Sequence, residues 1–123
     1  MKRLLSVLSI ASLLSTAAFG QGVVNSVRLS GPYLPAGYCQ LTSLGSATAL
    51  SSCSGGVPAG SSIAEICTES GSSVYYRDDG QNPTTSVGML VPASTCFQYA
   101  GSLTAIKFIQ TGSGAVLDVD FYQ

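Results

Sequence analysis

The chain has 123 residues, of which 9% are charged and 46% fall in the hydrophobic group, with a formal net charge of −1. That length suits one domain, and so little charge with so many apolar residues excludes an intrinsically disordered chain. No basic cluster follows Lys2-Arg3, which excludes the positive face that nucleic acid or an anionic membrane surface requires.

Residues 1–20 have the layout of a secretory signal peptide. Lys2 and Arg3 form a positive start, residues 4–14 are an apolar run broken only by serines, and Ala18-Phe19-Gly20 places small residues where a signal peptidase reads. The run is shorter than the roughly 20 residues that span a bilayer. Cleavage after Gly20 predicts a single β domain over residues 21–123, without a stable membrane anchor. Its three cations, Arg28, Arg77 and Lys107, face six carboxylates, a net charge of −3.

Residues 23–30 alternate as a strand, with Val23, Val27 and Leu29 sharing a face with Asn25. Pro35-Ala36-Gly37 predicts a turn-rich connection. In residues 39–49 Ser and Gly dilute the alternation, and Pro58-Ala59-Gly60 marks a turn. Residues 62–69 read as a strand, Ala64 and Ile66 on one face, Ile63, Glu65 and Cys67 on the other. After the short aromatic strand 74–77 comes a structural turn built from Asp78, Asp79, Gly80, Asn82 and Pro83. Asp and Asn side chains bond nearby backbone, Gly accepts positive φ, and Pro stops ladder pairing. Strands follow at 86–91 and 96–99. Residues 103–110 are the most apolar stretch after residue 20 and predict a central strand. From Ala115 onward, Ala115, Leu117, Val119 and Phe121 alternate with Val116, Asp118, Asp120 and Tyr122, the pattern of a half-buried strand. Seven or eight short strands, with turn signals about every 8–12 residues, predict an all-β fold. Its form is a compact antiparallel β-sandwich or jelly-roll-like domain, with no helix after the signal segment.

Four cysteines, Cys39, Cys53, Cys67 and Cys96, in a short exported chain predict disulfides. Three pairings exist. The sequential one, Cys39–Cys53 with Cys67–Cys96, closes modest loops and is favoured. No Cys-x-x-Cys and no His are present, so zinc ligation is not expected.

Without His, the Ser-His-Asp and Cys-His nucleophile systems are excluded, and paired cysteines cannot act as nucleophiles. Asp118 and Asp120 lie two apart on a strand, about 6.5–7 Å, a separation also seen in inverting glycosidases. They read better as the wet face of that strand. Glu65 and Glu69 share a face about 13 Å apart, too far to act together. Asp78 and Asp79 could ligand Ca²⁺, but their spacing is not that of an EF-hand and turn chemistry accounts for them. Tyr75, Tyr76, Tyr99 and Tyr122 are candidates for a contact surface. No catalytic residue, metal site or cofactor is expected.

One set of segments carries a resemblance. They are Val57-Pro58-Ala59-Gly60, Ala64 and Ile66, Tyr76-Arg77-Asp78-Asp79-Gly80, and Asn82-Pro83-Thr84-Thr85-Ser86-Val87-Gly88-Met89. Residues 99–103, Ala105-Ile106-Lys107-Phe108-Ile109 and residues 117–122 complete it. In this order they resemble a group of small tailed-phage proteins, mostly known only as structural or uncharacterised, over roughly two thirds of the chain that follows the signal segment. The resemblance implies a compact β domain without catalytic residues, associated with virions and used for assembly, decoration or surface contact. It implies other virion or surface proteins as partners, with homo-oligomers among the expected states. The export signal and cysteines point alternatively to an exported binding module, an adhesin or carbohydrate binder. The expected location is therefore the virion or the periplasmic or extracellular space.

Overall fold

A computed structural model describes residues 32–123. The signal segment and the strand expected at residues 23–30 lie outside the described residues. Eight strands occur in chain order: β1 (Pro35–Leu41), β2 (Thr48–Ala49), β3 (Ile63–Thr68), β4 (Val74–Arg77), β5 (Met89–Val91), β6 (Cys96–Tyr99), β7 (Lys107–Gln110) and β8 (Leu117–Tyr122). A three-residue 3₁₀ turn, Leu50–Ser52, follows β2. The strands form two four-stranded sheets, ordered β1-β8-β3-β6 and β2-β7-β4-β5. Every pairing is antiparallel. This is the eight-stranded double Greek key of a jelly roll, as the sequence predicts.

Alternation explains the layers. Leu117, Val119 and Phe121 of β8 point inward and are at most 1% exposed, as are Ala64 and Ile66 of β3. From the other sheet Phe108 and Val74 meet them, fully buried. Truncating a buried Phe in such a core costs about 3–5 kcal/mol. The Tyr76 ring of β4 stacks on Phe97 of β6 with centroids 5.3 Å apart and tilts against Phe108 at 6.0 Å. This contact joins the sheets near the edge formed by β5 and β6.

Three expectations need correction. Pro35-Ala36-Gly37 is not a connection but the start of β1, with a bulge between Pro35 and Gly37. Proline is tolerated there because it opens an edge strand, where no ladder partner needs its missing N–H. Residues 86–91 yield only Met89–Val91 as strand. Before it, Thr84 and Val87 form a tight bridge, and Gly88 has φ +148° with Tyr76 O only 2.8 Å from where a Cβ would sit. Residues 103–106 form a turn, closed by Ala105 and Ile106 N–H groups donating to Ser102 O. Leu103 and Ile106 are still buried, because that turn caps one end of the core.

Both favoured disulfides form, Cys39–Cys53 and Cys67–Cys96. Cys39 and Cys53 belong to the core, 7% and 5% exposed. Cys67 and Cys96 are direct cross-strand neighbours of β3 and β6 on the outer side of the first sheet, and Cys96 is exposed. Two disulfides fit an oxidising, exported environment. Mild reduction of the native protein should therefore open Cys67–Cys96 first and leave Cys39–Cys53 closed until the core opens, read by alkylation and mass mapping. Full reduction should lower Tm by more than about 10 °C, since each bridge is worth about 3 kcal/mol in the chain-entropy model.

Candidate contact surfaces

Paired strands put directly opposed residues on one face, so register assembles the outer surface of the first sheet from four distant segments. Tyr38, Asp120, Glu65 and Gln98 form one row across β1, β8, β3 and β6. Gln40, Asp118, Cys67 and Cys96 form the next. Tyr122 lies beyond Asp120 on β8, and Glu69 just past the end of β3. Glu65, Glu69, Asp118 and Asp120 thus share a face on which no Lys or Arg is found among the described residues.

Asp118 is the organised member. Its Oδ1 accepts from the Tyr38 hydroxyl at 2.5 Å and from Gln40 Nε2 at 3.0 Å, while Gln40 Nε2 also donates to Glu69 Oε1 at 3.1 Å. The Tyr38 hydroxyl, and Gln40 behind it, hold the Asp118 carboxyl below its ordinary value, while burial opposes them. Tyr38 is pushed up in turn, first by its bond to Asp118 and then by burial and the neighbouring carboxylates. Asp118 and Asp120 are the wet face of β8, as the alternation predicts.

The outer side of the second sheet differs. Ile109, Tyr75 and Leu90 align across β7, β4 and β5 as an apolar row, next to a row of Ala49, Lys107 and Arg77. β5 pairs only with β4, so its other edge is free. On this strand Met89 and Leu90 are 63% and 54% exposed, and Val87, just before it, is 51% exposed. A groove of about 210 Å³ lined by Tyr76, Met89, Leu90, Val91, Pro92, Thr95 and Phe97 opens between β5 and β6.

The four tyrosines singled out from sequence do not meet on one surface. Tyr122 faces outward from the first sheet and Tyr75 from the second. Tyr76 and Tyr99 pack against the core. The residue that sequence reasoning missed is Tyr38, 61% exposed. It directly follows Pro35-Ala36-Gly37, whose proline and glycine look like a turn in the sequence and hide the strand.

The segment Asp78, Asp79, Gly80, Asn82 and Pro83 is a turn between β4 and β5. Asp79 pairs through both carboxylate oxygens with Arg77, which holds its carboxyl below the ordinary value, and Asp79 Oδ1 also accepts from Gln81 N–H at 3.2 Å. Asp78 accepts from the Tyr99 hydroxyl at 3.3 Å. Pro83 is buried. Lys107 Nζ donates to Gly80 O at 3.2 Å and Asn82 Oδ1 at 2.9 Å. An ammonium thus already occupies oxygens that a calcium ion would need. Glu65, Cys67 and Cys96 also lie close enough to share an ion, but both sulfurs are bonded to each other and are not thiolate ligands.

Among the described residues no helix is long and apolar enough to cross a membrane. No protein-family model, curated protein or solved structure matches the chain.

Two outcomes follow. Calcium titration should give no saturable heat below millimolar concentration, and a micromolar site abolished by Asp79→Ala would contradict the turn assignment. The Tyr38–Asp118 bond should show in the pH dependence of stability. A depressed carboxyl stabilises above its unfolded value, near 3.8, and that contribution disappears as pH falls through the lower folded value. A raised phenol stabilises below its unfolded value, near 10.0, and that contribution disappears as pH rises through the higher folded value. Tyr38→Phe should therefore be less stable than the parent between about pH 5 and 9. As pH falls through the lowered folded value of Asp118 the two denaturant midpoints should converge, and in strong alkali the difference should shrink again.

Proposed function

We propose that the chain is a non-enzymatic contact domain of a larger assembly, a virion-associated structural or decoration protein of the tailed-phage type. The observation that carries this reading is the free β5 edge, with Met89 and Leu90 exposed on it and Val87 exposed just before it. An unpaired, apolar strand edge is a template for another chain; β5 is short, three residues, but carries no charged side chain to block such pairing. Here the edge continues into the Ile109–Tyr75–Leu90 row, which enlarges the apolar surface a neighbour could bury.

The resemblance supports the same place on the molecule. Its most specific segments, Tyr76-Arg77-Asp78-Asp79-Gly80 and Asn82 to Met89, build the end of β4, the following turn and the start of β5. In that reading the Arg77–Asp79 and Lys107–Asn82 contacts set the shape of the turn that delivers β5 to its partner. The jelly-roll fold is compatible with this use, since capsid and lectin domains both employ it. Fold alone does not choose between them.

The acidic outer face of the first sheet favours a second reading, an exported binding module stiffened by its disulfides. The two separate cleanly. Mass spectrometry of purified particles from the source should find the protein in stoichiometric amount. Leu90→Asp should leave Tm nearly unchanged, because the side chain is exposed, while abolishing incorporation. A protein absent from particles, with wild-type behaviour of Leu90→Asp, would defeat the assembly reading.

A further inference from the structure

At the opposite edge of the sandwich from β5, an open cleft of about 540 Å³ is lined by Pro35, Ala36, Gly37, Tyr38, Asp120, Phe121 and Tyr122. We infer that this cleft receives the guanidinium or ammonium head of an arginine or lysine on a basic segment of a partner protein.

The cleft exists because β1 bulges between Pro35 and Gly37. The bulge pulls the β1 backbone out of regular pairing with β8 and leaves a hollow beside Asp120. Tyr38 is the cross-strand neighbour of Asp120, and Tyr122 is its neighbour along β8 on the same face. Two aromatic side chains thus border one carboxylate.

The charge of the surroundings selects the ligand. Asp118, Glu65 and Glu69 share the outer face with Asp120, and both described cations, Arg77 and Lys107, belong to the other sheet. Such a face repels anions and offers a neutral ligand no return for its uncompensated charge, whereas a cation relieves the repulsion among the carboxylates. The Asp120 carboxylate makes no hydrogen bond or ion pair among the described residues, and Asp118 directs both of its described side-chain bonds to Oδ1, leaving Oδ2 as an acceptor. A planar guanidinium can donate to such carboxylate oxygens while lying against a tyrosine ring. A single bare metal ion fits less well, because Asp118 and Asp120 stand about 6.5–7 Å apart along the strand, beyond the span of one coordination sphere. The cleft is separate from the β5 edge, so the inference stands or falls independently of the assembly reading.

The test is an amide-shift titration of the purified full chain with a hexa-arginine peptide at low and high salt. Saturable shifts should centre on Tyr38, Asp120, Phe121 and Tyr122 and weaken with salt. Asp120→Asn, at an exposed side chain, should reduce the affinity about tenfold, the effect of one charge-assisted bond. Tyr38→Leu should also weaken binding with the carboxylates intact, and Tyr75→Ala on the other sheet should not change it. Shifts spread evenly over Asp78, Asp79 and the acidic face, with Asp120→Asn like the parent, would overturn the inference. So would tighter binding of an N-acetylglucosamine hexamer at the same residues. Movement of the Tyr38 and Tyr122 amides in peptide-free Arg28→Gln would overturn it as well, by showing that the chain's own N-terminal segment fills the cleft.

Discussion

Strand β8 is the constraint on which the first sheet depends. It pairs with β1 on one side and β3 on the other, each over its whole length from Leu117 to Tyr122. Because side chains alternate, one register sends Leu117, Val119 and Phe121 into the core and Asp118, Asp120 and Tyr122 outward. A slip by one residue would bury two carboxylates and expose Phe121, a change far costlier than any single surface contact. The register of β8 therefore fixes the core and the acidic face together.

The disulfides divide the remaining work. Cys39–Cys53 is part of the core, tying β1 to the segment after β2. Cys67–Cys96 locks the β3–β6 pairing from outside. The sheet edge beyond β6 and the free edge of β5 lie on the same side of the sandwich, where Tyr76 stacks on Phe97. An exposed apolar edge weakens a small domain's resistance to mispairing. A covalent lock on the adjacent strand pair stiffens that side without covering the edge, which remains open for contact.

The two surfaces have opposite chemistry. The β5 edge and the Ile109–Tyr75–Leu90 row are apolar, with a cation row alongside. The first sheet presents carboxylates, amides and two tyrosines. An apolar side and an acidic side each disfavour the surface the other would accept, through unpaired charge or unburied apolar area.

The sequence by itself determined the all-β class, the turn at residues 78–83 and the outward position of Asp118 and Asp120, and it favoured the sequential disulfides among three possible pairings. These depend on alternation, on Gly, Pro, Asn and Asp chemistry, and on short cysteine spacings, all local properties. It misread residues 103–106, because apolar residues that cap the end of a core look the same in sequence as apolar residues within a strand. It missed β1 before Cys39 because the permissiveness of an edge strand toward Pro35 depends on having no neighbour on that side. Only the tertiary structure decided that Tyr38, Glu65, Asp118 and Asp120 share one face while Tyr75, Tyr76, Tyr99 and Tyr122 do not. Those residues come from strands far apart in the chain, and their company is set by pairing partners and register, which no local pattern encodes.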